Sequence, residues 1–206
     1  MIIGADKALL TTLRAVVFVL LLNFCPLSAG APASPSSWNL EVLMQDLAQV
    51  KSARARFVER KFLRILNDPL EVRGTLSYTA PGHLEKHTLT PKRESLVLDQ
   101  DRLTLEDEVR KQRRTLALQE YPVIWALVES IRATLAGDLQ SLNRFYQVRL
   151  EGDPREWRLI LTPRDSKMKA MVTDIRMTGT RRSVRVIEVN EAGGDRSEMT
   201  IIQDKE

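Results

Sequence analysis

Two histidines, His83 and His87, are the residues of this chain most suited to acid–base or metal chemistry, and the sequence contains no others. They lie four positions apart in a stretch that alternates between apolar and polar residues. On a β-strand, such positions share a face but stand about 13 Å apart along it. One metal ion cannot bind two side chains held at that separation, so the sequence predicts no metal site.

Short acidic clusters are the next candidates for chemistry. Asp99-Gln100-Asp101 lacks the glycine and glutamate of a calcium-binding loop and is typical of a hairpin tip. Glu106-Asp107-Glu108 stands close to Arg110-Lys111 and is typical of a solvated loop. The sequence has no Gly-x-Ser-x-Gly nucleophile elbow. We therefore predict a protein that is not an enzyme and has no catalytic residue, metal or cofactor. A lipid-modifying enzyme with dispersed catalytic residues is an alternative.

The first 33 residues have the layout of a secretory signal peptide. Lys7 and Arg14 form a basic region, residues 15–22 are a short apolar run, and small residues follow as far as Ala33. The apolar run is short for a membrane span, although an uncleaved anchor is the alternative. We predict cleavage after Ala33, a periplasmic location, and a single domain over residues 34–206. The only cysteine, Cys25, lies within the signal, so the mature chain can form no intramolecular disulfide.

The charge of the chain narrows the class of partner. The formal net charge is +4 and the isoelectric point about 9.4. Because an exported protein rarely meets nucleic acid, anionic lipid headgroups or an acidic protein are the better candidates. Solvated strand faces and hairpin tips explain the same charges without any partner. The basic clusters are Arg54, Arg56, Arg60, Lys61 and Arg64, then Arg110-Lys111-Gln112-Arg113-Arg114, and finally Arg181-Arg182.

These residues must be positioned by a sheet with one apolar face. Residues 70–79 alternate strictly, and about ten short stretches of this kind follow one another between turn signals. Ser37 is predicted to cap a first helix over residues 38–50, and a second helix opens at Tyr121-Pro122 and stops at Gly137. Both helices are amphipathic and need an apolar surface. The pattern predicts an α+β fold, mostly antiparallel β, with one curved sheet that houses the helices; a two-sheet sandwich is the alternative.

Several motifs, in order, resemble those of LolA, the periplasmic carrier of outer-membrane lipoproteins, and its relatives. Phe57-Val58-Glu59 is similar to the family's Phe-x-Gln. Residues 74–84, Gly-Thr-Leu-Ser-Tyr-Thr-Ala-Pro-Gly-His-Leu, resemble its Gly-x-Leu-x-aromatic-x-x-Pro-x-x-Leu hairpin. The remaining matches are Ser95-Leu96-Val97-Leu98-Asp99-Gln100-Asp101, Trp157-Arg158-Leu159-Ile160-Leu161-Thr162-Pro163 and Asp195-Arg196-Ser197.

The resemblance implies an incomplete, half-open barrel closed by a helical lid, whose apolar hollow takes up acyl chains. It implies a monomer that receives lipophilic cargo, either a lipid or a lipoprotein, from an inner-membrane donor and passes it to an outer-membrane acceptor. A sensor or interaction module of the same fold, bound to an envelope protein, is the alternative. Candidate lining residues are Phe57, Val72, Leu76, Tyr78, Leu84, Leu96, Leu98, Leu103, Leu105, Leu159 and Leu161, with Leu43, Ile124, Trp125, Leu127 and Val128 on the lid.

Two departures from the family pattern bear on the cargo. Ala80 stands where the resemblance implies an arginine that holds the lid shut, immediately before the hairpin proline. The sequence also ends at Glu206, soon after the last shared strand. Both favour a lipid other than a lipoprotein.

Overall fold

The computed structural model describes residues 38–203, so the predicted signal peptide and its cleavage site lie outside the described residues. Within this range the chain forms four α-helices and eleven β-strands. The helices are α1 (Leu40–Ala48), α2 (Pro122–Ala136), α3 (Leu139–Phe145) and α4 (Ser166–Lys169), and a 3₁₀ turn covers Leu118–Glu120. The strands are β1 (Ser52–Phe62), β2 (Leu70–Thr79), β3 (His83–Thr90), β4 (Glu94–Asp99), β5 (Arg102–Asp107), β6 (Gln112–Ala117), β7 (Tyr146–Asp153), β8 (Glu156–Pro163), β9 (Val172–Thr180), β10 (Ser183–Glu191) and β11 (Arg196–Gln203).

All eleven strands belong to one antiparallel sheet. Their order is β6-β5-β4-β3-β2-β1-β11-β10-β9-β8-β7, so the first strand lies in the middle and the sheet does not close. The chain therefore builds one wing outward from β1 to β6 and the other from β7 inward to β11. This arrangement confirms the predicted α+β fold with a single open sheet and helices, and it excludes the two-sheet sandwich.

The helix ends follow local chemistry, with one correction. Ser37, the predicted cap of the first helix, lies outside the described residues; α1 begins instead after Asn39, whose side chain accepts a hydrogen bond from the Val42 N–H at 2.9 Å. Helix α2 begins with Pro122 and ends at Gly137, which adopts a left-handed φ of 69°. None of the helices within residues 38–203 is long and apolar enough to cross a membrane.

The strand register defines an inner face that packs against the helices. Directly paired residues on neighbouring antiparallel strands point to the same side of a sheet. Tyr78, Leu84, Leu98, Leu103 and Leu116 are paired in succession from β2 to β6 and form one row of that face. The predicted alternation at 70–79 is confirmed by this register, except that Leu70, at the end of β2, is 40% exposed.

A glycine lies opposite a tryptophan ring on the C-terminal wing, which comprises β7 to β11. A Cβ at Gly179 would lie 2.3 Å from Trp157 Cζ2, so only glycine leaves room for the indole across the strand pair. The fully buried Trp157 donates its Nε1–H to the Arg181 carbonyl at 2.9 Å. This packing locks β8 to β9 at the centre of the C-terminal wing.

Candidate functional site

Two apolar clusters cover the inner face, and they differ in how completely they exclude water. The larger, which we call the sealed core, lies on the C-terminal wing beneath α1, α3 and part of α2; among its members are Leu43, Leu47, Leu159, Leu161 and Ile175, all essentially inaccessible to solvent. The smaller, the open cluster, lies on the N-terminal wing. It has three buried leucines, Leu98, Leu103 and Leu118, surrounded by the partly buried Leu84, Leu96, Leu116, Ile124, Trp125 and Val128.

Helix α2 lies between the two clusters and contributes a face to each. Val123, Leu127, Ile131 and Leu135 pack on the sealed core. Ile124, Trp125 and Val128 pack on the open cluster. A single helix therefore roofs the open cluster while anchored on its other side. The anchor includes a hydrogen bond from the buried Tyr146 hydroxyl to the Ala126 carbonyl, 2.9 Å long.

The exposed edge of this roof is aromatic. The Trp125 and Phe145 ring centroids lie 5.6 Å apart, tilted by 60°, which is a favourable edge-to-face geometry. The Arg144 guanidinium lies 5.3 Å from both centroids. This edge of the roof is therefore amphipathic: the half-buried Trp125 ring supplies its apolar part and the Arg144 guanidinium its charged part.

The register places all eleven candidate lining residues on the inner face, but the structure does not bring them into one group. Leu84, Leu96, Leu98 and Leu103 meet the lid residues Ile124, Trp125 and Val128 in the open cluster. Leu159, Leu161, Leu43 and Leu127 belong instead to the sealed core. Phe57, Val72 and Tyr78 are buried on the central strands, Leu76 is partly buried beside them, and Leu105 is 36% exposed near the end of the inner face.

The inner face of the N-terminal wing turns polar below the open cluster. Lys86 stands between Leu76 and Leu96 in the register, and its Nζ lies 2.6 Å from the Glu59 carboxylate and 4.9 Å from the Phe57 ring centroid. Glu59 is only 6% exposed. Because desolvating an ion pair offsets most of its attraction, the pair is a weak source of stability. It marks where the apolar surface ends.

A second polar group lies at the opposite end, beside the β2–β3 hairpin. Tyr78 is 5% exposed, and its hydroxyl has no hydrogen-bond partner within residues 38–203. Burial raises the pKa of this phenol, and the positive charge of Arg132 on α2 partly opposes the rise. Arg132 lies against Gly82, where an added Cβ would meet the arginine Cδ at 2.9 Å. The arginine is ion-paired through both carboxylate oxygens to Glu129, one turn earlier on α2.

The two histidines lie on the outer face, away from both clusters. The His83 and His87 Nε2 atoms contact separate oxygens of Glu85 at 2.8 and 3.0 Å. These bonds lower the Glu85 pKa to about 2, and the same carboxylate raises the pKa of His83. Within residues 38–203 no group of three His, Cys, Asp or Glu side chains is arranged to hold a metal ion. Asp99, Gln100 and Asp101 form the tight β4–β5 connection, with a left-handed φ of 52° at Gln100, as predicted for a hairpin tip.

The sequence reasoning missed three members of this region. Leu116 lies on a strand that was predicted, but it shares its face with the exposed Arg114, two positions earlier, so alternation alone does not mark that face as apolar. Leu118 follows the strand and is buried by the 3₁₀ turn, and no local pattern indicates that. Arg132 is adjacent to the hairpin only because α2 crosses the sheet there, a long-range arrangement without a local signal.

Comparison with known proteins identifies the family. A family model described as outer membrane lipoprotein carrier protein LolA-like matches residues 32–203. No curated protein matches the chain.

Several solved structures are similar at low identity. A LolA superfamily protein from Nitrosomonas europaea is 12% identical over 82% of this chain and 96% of that chain, with a TM-score of 0.43. The Pseudomonas aeruginosa MucA/MucB complex is 15% identical over 80% of this chain and 56% of the matched one, with a TM-score of 0.44. A DUF1329 family protein from Desulfovibrio piger is 11% identical over 80% and 90%, with a TM-score of 0.46. The family model spans most of the chain, and this protein therefore belongs to the outer membrane lipoprotein carrier protein LolA-like family.

Proposed function

We propose that this protein is a non-enzymatic periplasmic carrier that binds the acyl part of a lipid at the open cluster. The observation that carries the proposal is the contrast between the clusters. In the open cluster six partly accessible apolar side chains surround only three buried leucines, whereas in the sealed core fifteen buried side chains outnumber thirteen partly buried ones. The open cluster therefore has the larger share of apolar side chains that an incoming chain can still cover.

The binding energy comes from burial alone. Removing an acyl chain from water contributes roughly 0.8 kcal/mol per methylene. Leu84, Leu96 and Leu116 on the strands face Ile124 and Val128 on the roof. An acyl chain that enters between strands and roof exchanges their apolar contacts with each other for apolar contacts with the chain. To admit it, α2 needs only to shift away from β3–β6, while the Tyr146 hydrogen bond keeps the helix anchored on its other side.

Membership of the family supports a wider role. We propose that residues 1–33 are a cleaved signal peptide and that residues 34–206 act as one monomeric domain. It would receive its cargo from an inner-membrane donor and pass it to an outer-membrane acceptor. Ala80 in place of the family arginine favours a lipid other than a lipoprotein as cargo.

An interaction module bound to an envelope protein is the second candidate. Arg113 and Arg114 lie on β6, an edge strand of the sheet, and both are exposed. An edge strand offers unpaired backbone groups to a partner strand, and these charges suit an acidic one. A partner recovered in stoichiometric amount, together with no lipid uptake, would favour this role over the carrier.

Native mass spectrometry of protein purified from its own cell envelope tests the carrier role. We expect a bound lipid, and uptake of a fluorescent fatty acid by the emptied protein. Leu96→Gln should abolish most of that uptake. The matched Leu89→Gln should not, because Leu89 lies on the same wing but is 48% exposed and belongs to neither cluster. A protein that is empty and takes up nothing would contradict the proposal.

A further inference from the structure

The buried Tyr78 hydroxyl is a polar group without a partner at the edge of an apolar surface. It is paired in register with Leu84, and the row continues through Leu98 and Leu103 to Leu116. At the spacing of antiparallel strands this row extends about 19 Å. An acyl chain lying along it would therefore end with its polar terminus near the tyrosine.

A buried hydroxyl that lacks a hydrogen bond is rare, because desolvation without compensation is unfavourable. Tyr78 is 95% inaccessible (5% exposed), so bulk water cannot supply the bond. Phenylalanine would pack there equally well without that penalty. The hydroxyl is consequently a donor held ready for a group that arrives with a ligand.

Arg132 supplies a second donor at the same corner. Glu129 occupies its Nε and Nη2 groups, which leaves the Nη1 N–H groups without a protein partner among residues 38–203. A Cβ added to Gly82 would lie 3.3 Å from Nη1. Nη1 therefore faces the β2–β3 hairpin turn, which follows Tyr78 by two to four residues. The side chain is 27% exposed, which places it at the boundary between the apolar surface and solvent.

The surrounding charges indicate which acceptor fits. The Glu129 carboxylate already neutralises the Arg132 guanidinium, because both of its oxygens accept hydrogen bonds from it. A ligand carboxylate or phosphate would add a further negative charge in a partly desolvated corner. A neutral carbonyl accepts the same hydrogen bonds without that repulsion.

From these observations we infer that Tyr78 and Arg132 form a socket for the ester or amide carbonyl of an acyl chain whose tail lies on the open cluster. The inference rests on the proposed function and adds the linkage chemistry of the cargo. It predicts selection for esterified or amidated chains over free fatty acids and over hydrocarbons.

Displacement of a fluorescent fatty acyl probe from the full-length protein tests the socket with three ligands of equal chain length: methyl laurate, laurate and dodecane. We expect the wild type to prefer methyl laurate. Tyr78→Phe should weaken methyl laurate binding about three- to tenfold and leave dodecane unchanged. Tyr121→Phe is the matched control, since Tyr121 is exposed before α2, and it should change neither.

The outcomes separate the socket from the carrier role. If Tyr78→Phe leaves methyl laurate affinity unchanged, or weakens dodecane equally, the socket is overturned while lipid binding stands. Tighter binding of laurate than of methyl laurate would overturn the preference for a neutral carbonyl. If no ligand displaces the probe from the wild type, both the socket and the proposed function are contradicted.

Discussion

Helix α2 separates two wings of one sheet that bury their inner faces to different extents. On the C-terminal wing, α1 and α3 join α2, and side chains such as Leu159 and Leu161 are fully inaccessible. On the N-terminal wing α2 works with only a 3₁₀ turn, and Leu84, Leu96 and Leu116 stay partly accessible. This difference supports the proposal that the C-terminal wing supplies stability and the N-terminal wing supplies a surface for a ligand. A completely sealed core has no room for cargo, and a fully open one would not hold the fold.

The largest effect should come from a cavity in the sealed core. Leu161→Ala should lower the free energy of unfolding by about 2–5 kcal/mol, because surrounding groups relax only partly into the space left. Urea denaturation followed by circular dichroism measures it. A loss below about 1 kcal/mol would contradict the stabilising role of the C-terminal wing.

The same truncation on the other wing should matter less for stability and more for binding. Leu96→Ala should lower the free energy of unfolding by about 1 kcal/mol, because the side chain is partly exposed and its removal leaves less of a void. Uptake of a fluorescent fatty acid should nevertheless fall, whereas Leu161→Ala, assayed where it is still folded, should retain uptake. Equal stability losses at the two positions would remove the distinction between the wings.

Removing the unpaired hydroxyl of Tyr78 should make the ligand-free protein more stable to unfolding. Tyr78→Phe should raise the free energy of unfolding by about 1 kcal/mol, because it deletes a buried polar atom without a partner. Thermal unfolding of delipidated protein measures the change, and added methyl laurate should reduce the advantage over wild type. A destabilised variant would mean that the hydroxyl already has a partner in the ligand-free state.

The smallest effect concerns pH and the outer face of β3. The Glu85 pKa is lowered to about 2 by the histidines, so its contribution is complete above about pH 4.5 and is lost as pH falls toward 2. The His83 pKa is raised, so its contribution is complete below about pH 6.5 and is lost as pH rises through the folded value. The stability difference between wild type and Glu85→Gln should therefore be greatest between pH 4.5 and 6.5, and below about 1 kcal/mol because the cluster is solvated.

Glu151 on β7 provides the control from the other wing. It pairs with Arg149 at 2.8 Å and approaches Arg158 at 3.9 Å, so both of these partners are arginines and neither is a histidine. Glu151→Gln should give a difference that is flat from about pH 6 to 8. A difference for Glu85→Gln that is equally flat would show that the histidines do not act on the carboxylate.

Local sequence patterns predicted the strands and helices well, but they did not predict how the helices are shared between the two wings of the sheet. Strict alternation was enough to place Tyr78, Leu84 and Leu98 on one face, since a one-residue slip would turn every side chain over. Pro122 and Gly137 set the limits of α2 through their backbone preferences. What the sequence could not reveal is that α1, through Leu43 and Leu47, packs on the C-terminal wing alone. That choice is made by contacts distant in sequence, and it determines which wing is left partly open.

Hydrogen exchange of the full-length protein with and without methyl laurate is the most direct test of lipid binding at the open cluster, because it reports on both wings in one experiment without any substitution. We expect the lipid to slow exchange in α2 and in β3 to β6, and to leave exchange in α1, β8 and β9 unchanged. Slower exchange confined to α1, β8 and β9, with β3 to β6 unaffected, would contradict it.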